Sequence, residues 1–139
     1  MILLDTNVIS ELMRPQPNDT VRQWVQQQAI ETLFLSSITL AKVRFGLLIL
    51  PDGRKKQALI HSFEHLIVPT FEDRILSFDE KTAITYAEIR ANAQKQGRAI
   101  ATADGQIAAI AKFHKLSVAT RDTAPFEYAG LNVVNPWNS

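Results

Sequence analysis

Apolar residues recur along this chain in two rhythms. Ile2-Leu3-Leu4 is a short unbroken run that stops at Asp5, after which Val8, Ile9 and Leu12 resume at helical spacing. That pattern predicts a buried strand, a turn carrying an acid, and a helix. Arg14-Pro15-Gln16-Pro17 interrupts it. Asn18 or Asp19 can then cap a helix in which Val21, Trp24 and Val25 share an apolar face. Leu33-Phe34-Leu35 reads as a second buried strand ending at Ser36-Ser37, ahead of a largely apolar helix from about Ile38 to Leu50. Pro51-Asp52-Gly53 is a turn, and a basic amphipathic helix follows from about Arg54 to Leu66.

The second half repeats the scheme. Ile75-Leu76-Ser77-Phe78 predicts a third strand, and Asp79 caps a long helix that stops at Gly97. The segment from Ile100 to Gly105 predicts a turn into the helix IAAIAKFH. Ser117-Val118-Ala119-Thr120 predicts a fourth strand, and Leu131-Asn132-Val133-Val134 a fifth before Pro136. Short apolar strands alternating with amphipathic helices imply an α/β fold with a mostly parallel central sheet of about five strands. With 139 residues, the expectation is a single domain over 1–139.

Composition narrows the chemistry. Fifteen basic and fourteen acidic residues leave a formal charge of +1, so a nucleic-acid partner must be recognised by a local patch. The absence of cysteine excludes disulfides, thiolate zinc sites and a cysteine nucleophile. His61 and His65 stand four apart, as two ligands on a helix face would, but lack the acid of an HExxH motif and read as a surface pair. No signal peptide is visible, and no apolar run approaches the ~18 residues that span a bilayer. The expected location is the cytoplasm, with no membrane partner.

Three acids carry the candidate chemistry. Asp5 follows the first strand, Asp122 lies two residues beyond the fourth, and Asp104 sits at the N-terminal edge of a helix in TADG. A doubly wound fold places all three along its carboxyl edge, where ligands bind. Carboxylates sharing a cleft repel one another, and a hard divalent cation such as magnesium or manganese offsets that repulsion. Such an ion orients a water and stabilises charge building on a phosphoryl oxygen, as phosphodiester hydrolysis requires. Spacing alone leaves the structural reading open as well: Asp5 capping the first helix, Asp104 capping its own, and Asp122 holding the RDT turn.

MILLDTNVISE, SSITLAKVRFG, TADGQIAAIA and VATRDT, in that order, resemble a PIN-domain protein of the VapC-type toxins, in their FitB-like subgroup. The likeness extends to the closing NPW. It implies a PIN-like α/β/α sandwich and a Mg2+- or Mn2+-dependent endoribonuclease acting on an RNA substrate. It further implies a homodimer inhibited by a cognate DNA-binding antitoxin, through which the complex reaches operator DNA. On this resemblance Asp5, Asp104 and Asp122 are metal ligands and catalytic acids, and Thr6, Asn7 and Thr120 are their supporting polar neighbours.

One position departs from the pattern. Related sequences carry a glutamate in the third helix, whereas this chain reads Thr39-Leu40-Ala41-Lys42-Val43-Arg44-Phe45-Gly46. Lys42 stands at the place of the expected Glu, and no other acid lies between Glu31 and Asp52. An ammonium ~5 Å from a dication, at an effective dielectric of ~20, is repelled by ~6–7 kcal/mol before screening and relaxation. A third of that weakens metal binding more than tenfold. A Lys42 swung out on its long stem spares the metal but still removes an oxygen acceptor. The expectation is a chain that binds metal poorly and cleaves RNA slowly or not at all.

Basic groups suited to RNA phosphates are Arg14, Arg44, Arg54, Lys55, Lys56 and Arg121, with Arg121 beside Asp122 holding the strongest claim. Trp24 and Phe45 lie on helices able to form an antitoxin groove, although Trp24 is expected in the core. Two other classes compete. A phosphoryl-transfer or receiver-like domain would use Asp5 as nucleophile, but Asn7 occupies the position where a haloacid-dehalogenase-like site wants a second Asp. A non-catalytic protein would only engage antitoxin and DNA. A nucleotide triphosphatase lacks its GxxxxGK loop and a serine hydrolase its GxSxG elbow.

Overall fold

The computed structural model describes residues 1–139. Strand β1 (Ile2–Leu4) leads into helix α1 (Thr6–Leu12), and α2 (Asp19–Gln27) follows. The Asn18 side chain caps α2 by accepting from the Val21 N–H, which settles the choice between Asn18 and Asp19. Strand β2 (Leu33–Ser36) ends in a serine that caps α3 (Ser37–Leu48) through the Thr39 N–H. Helix α4 (Arg54–Ser62) does not stop near Leu66. It continues through a π turn at Phe63–Ile67 into the short α5 (Val68–Thr70), with Pro69 just after that turn, where the regular helical ladder is already interrupted.

Strand β3 is only Ile75–Leu76, shorter than its apolar run suggests, because Phe78 turns away to lead into α6 (Glu80–Lys95). Asp79 and Thr82 form a reciprocal capping box at its start, and Gly97 takes a positive φ of 71° beyond its end. Helix α7 (Thr102–Phe113), β4 (Ser117–Ala119), α8 (Ala124–Tyr128), β5 (Val133–Val134) and a 3-10 turn at Pro136–Asn138 complete the chain. The fourth and fifth strands are trimmed from their predicted lengths.

The five strands run in the order β3-β2-β1-β4-β5 and every pairing is parallel. Strand β1 is therefore central. The chain moves outward from it to β2 and β3, then returns to lay β4 against its other side. Successive side chains on β1 point to opposite faces, which explains the two cores. Leu3 packs with Val118 and the helices α6, α7 and α8, whereas Leu4 packs with Leu33, Leu35 and the helices α1 to α4. The result is the expected α/β/α sandwich. Gly105 lets α7 approach α6 closely, since a Cβ there would meet Tyr86 Cε1 at 3.1 Å. No helix is long and apolar enough to cross a membrane.

Candidate active site

The reversal of strand order between β1 and β4 opens a crevice at their carboxyl ends, and Asp5 lies there. Its backbone N–H donates to the Ala119 carbonyl at 2.9 Å, continuing the β1–β4 ladder one step past the strand. The carboxylate is 4% exposed. Its Oδ1 accepts the Thr6 N–H at 2.8 Å, and its Oδ2 accepts the Thr120 hydroxyl at 2.7 Å. Asp5 thus does occupy the cap position of α1 while it also faces the crevice.

Thr120 is the hub of a small network. Its Oγ1 also accepts from Asn7 Nδ2 at 3.2 Å and from the Asp122 N–H at 3.1 Å. Asn7 Oδ1 in turn accepts the Arg121 N–H at 3.3 Å. These bonds clamp the start of α1 onto the segment after β4, fixing Asp5 and Asp122 relative to one another. Thr6 reaches the other way, its Oγ1 lying 3.1 Å from Thr39 Oγ1 on α3. Lys42 follows Thr39 by three residues, on the same face of that helix. Asp104 comes from α7, where it is the third helical residue rather than a cap. The cap position is Ala101, with no side-chain hydrogen bond.

Asp5, Thr6, Asn7, Lys42, Asp104, Arg121 and Asp122 all line one open pocket of about 620 Å³. Thr120 is buried directly behind them. Burial first of all pushes the Asp5 carboxyl above its usual range. Its bonds from Thr120 and the Thr6 N–H pull it down, as does the Lys42 charge, while Asp122 raises it. Asp104 is also raised, first by desolvation and then by the Asp5 charge, with Lys42 opposing and Asp122 adding. The three acids are therefore close enough to repel one another, and Lys42 is the ammonium that acts on two of them.

The donor set does not fit a divalent ion well as it stands. No group of three or more Asp, Glu or His side chains converges tightly enough to hold a metal. Each Asp5 oxygen accepts one hydrogen bond and keeps a lone pair for a ligand, but the position from α3 supplies a cation instead of an oxygen. His61 and His65 are exposed, their rings 4.4 Å apart, and form no metal site.

Several basic candidates fall outside the pocket. Arg44 is held by Glu64 through two bonds of 2.9 Å, and Lys56 is bound to the Leu48 carbonyl and Asp52. Arg54 and Lys55 do not line the pocket either; only Arg14 and Arg121 do. Sequence reasoning missed Ser10, Glu11 and Trp137, which complete the lining. Buried Glu11 accepts the Asn18 N–H at 2.9 Å and pairs with Arg14 at 3.3 Å. A signal was present: Asn7, Ser10, Glu11 and Arg14 recur at helical spacing opposite the apolar face of α1.

Residues 2–131 match the model of the PIN domain. The chain belongs to the PIN-domain family. It is 52% identical to Toxin FitB of Neisseria gonorrhoeae, covering 99% of each chain. To the VapC ribonuclease Y4jK of Sinorhizobium fredii it is 47% identical, over 99% of this chain and 98% of that one. The FitAcB crystal structure from Neisseria gonorrhoeae superposes with a TM-score of 0.96 at 52% identity, covering 100% of both chains. FitAB bound to an IR36 DNA fragment gives 0.95 at 52% identity, over 99% of this chain and 96% of that one. The family placement of this chain thus extends to the FitB-like VapC toxins.

Proposed function

We propose that this chain is the toxin of a toxin–antitoxin pair, an endoribonuclease of the PIN-domain family whose divalent-metal site is weakened by Lys42. The observation that carries the reading is the pocket at the β1–β4 reversal, where Asp5, Asp104, Asp122 and Lys42 meet. Relatives named as a toxin and as a ribonuclease, at 52% and 47% identity, support the activity class. On this reading Asp5, Asp104 and Asp122 are the acids toward Mg2+ or Mn2+, and Arg14 and Arg121 flank them on the side of the RNA backbone.

The complexes of FitA with FitB, one of them on DNA, support a DNA-binding antitoxin as the partner and operator DNA as the indirect one. A homodimer is part of the same proposal. Trp24 is buried, as expected for core, but Phe45 is 66% exposed on α3 beside exposed Leu48 and Ile49. Phe45 is the better anchor for an amphipathic antitoxin segment.

The test compares the chain with its Lys42→Glu variant in one RNA-cleavage assay with manganese, and with a chelator as control. Cleavage by the glutamate variant alone, stopped by the chelator, is expected. Equal cleavage by both would show that position 42 is dispensable. A second reading is favoured by the same lysine: an inert toxin that acts only within its antitoxin–DNA complex. It predicts that neither version cuts while antitoxin binding persists.

A further inference from the structure

Arg121 and Trp137 form a pair that the acid cluster does not explain. The Arg121 guanidinium carbon lies 5.3 Å from the centre of the Trp137 ring. Both line the pocket of Asp5, Asp104 and Asp122, and Trp137 is the one apolar side chain in that lining. The indole is anchored from behind. It packs against the Leu4 core, Pro136 before it is buried, and its N–H in the backbone donates to Asn135 Oδ1 at 2.9 Å. The backbone of Arg121 is fixed too, through its N–H on Asn7.

The guanidinium itself is uncommitted. Arg44, Arg74 and Arg90 also lie over aromatic rings, but Glu64, the Leu33 and Thr70 carbonyls, and the Tyr86 hydroxyl occupy their donors. Arg98 over Tyr128 is likewise free of such bonds, but it lies away from the acids. Arg121 alone combines a ring beneath it, free donors and a place at the acid pocket. A point charge for phosphate does not require an aromatic backing, whereas the plane of an arginine does stack on one. A planar cation held over an indole presents a flat face, and unstacked RNA bases settle on such faces.

We propose that Arg121, backed by Trp137, is a stacking seat for a nucleobase of single-stranded RNA whose adjoining phosphate lies at the acid pocket. This inference rests on the ribonuclease reading above. It assigns Arg121 to base stacking and makes Trp137 a binding residue. It also requires an unpaired nucleotide, because a base inside a duplex has no free face to offer.

The experiment measures binding, not cleavage, with the full chain in a chelator. Two probes are used: a single-stranded RNA 12-mer of mixed sequence and a 12-mer of the same backbone with abasic sugars. The variants are Arg121→Lys, which keeps the charge and loses the plane, and Trp137→Leu, with circular dichroism confirming the fold. Arg121→Lys is expected to bind the base-bearing 12-mer about tenfold more weakly and the abasic one unchanged. Base-bearing RNA should also quench the tryptophan fluorescence of the unaltered chain but not that of Trp137→Leu, which retains only Trp24, whereas the abasic probe should quench neither. Should Trp137→Leu fail to fold, Arg121→Lys decides alone. Equal losses on both probes, or none on either, would overturn the stacking seat while leaving RNA binding intact. Failure of the unaltered chain to bind either probe would remove the RNA reading and the seat with it.

Discussion

Two cations two residues apart on α3 meet opposite fates. Arg44 is fully engaged: Glu64 receives both of its donors at 2.9 Å, and its guanidinium lies over Phe63. Lys42 makes no hydrogen bond and no ion pair at contact distance, yet it stands in a pocket lined by four carboxylates, of which only Glu11 has an ion-pair partner, Arg14. The first arrangement is a surface clasp between α3 and the turn after α4, with each partner's charge answered. The second leaves Asp5 fixed by two hydrogen bonds and Asp104 and Asp122 without an ion-pair partner. Geometry that secures carboxylates without matching them serves ligand binding at a cost in stability. Lys42 supplies positive charge to Asp5 and Asp104 from within the chain, and on the proposed function it would compete with an external cation.

The largest expected effect tests whether the acids act as one unit. Adding Asp104→Asn to the Lys42→Glu variant should abolish the cleavage gained by that variant, a loss of about 10²-fold or more in a single-turnover assay. Retained cleavage would detach Asp104 from the site. Next comes stability. Lys42→Glu adds a carboxylate beside Asp5, Asp104 and Asp122 and removes the ammonium acting on the first two, so without metal its melting temperature should fall by about 2–5 °C. Manganese should restore it, while leaving the unaltered chain within about 1 °C.

The pH dependence is smaller and has a definite sign. A carboxyl whose folded-state pKa is raised binds protons more readily in the native state than in the unfolded one. Asp104 therefore detracts from stability as pH rises through its raised range, and that penalty is absent below the ordinary carboxylate value of about 4. Asp104→Asn should melt about 1–3 °C higher than the unaltered chain at pH 7, with the gap closing near pH 4. A gap that widened on acidification would reverse the assignment. The smallest effect belongs to the clasp: a double-mutant cycle on Arg44 and Glu64 should give a coupling of about 0.5–1 kcal/mol and leave cleavage by the Lys42→Glu variant unchanged.

Much of this arrangement is legible in residue order. Asp5 announces itself because an apolar run ends on it, and Asp122 because it follows another such run; parallel pairing of central strands then brings their ends together. Asp104 is legible as an acid at a helix start, but not as the third residue of α7, since Ala101 and Thr102 carry no capping signal that marks the boundary. The position of Lys42 depended on the family pattern. Its approach to Asp5 is set by the Thr6–Thr39 contact between helices 33 residues apart, which no local spacing encodes. Trp137 was hidden for a similar reason: its partner Arg121 is distant in sequence, and the turn at Pro136–Asn138 reaches the pocket only after β5 pairs with β4. The extension of α4 past Leu66 is not legible because a π turn carries it, and no local residue pattern marks that turn.

The competition between Lys42 and an external cation is tested most directly by titration calorimetry of manganese into the unaltered chain and into Lys42→Glu. The glutamate variant should bind at least about tenfold more tightly, with heats close to dilution for the unaltered chain. Tight binding by the chain with Lys42 in place would contradict that competition.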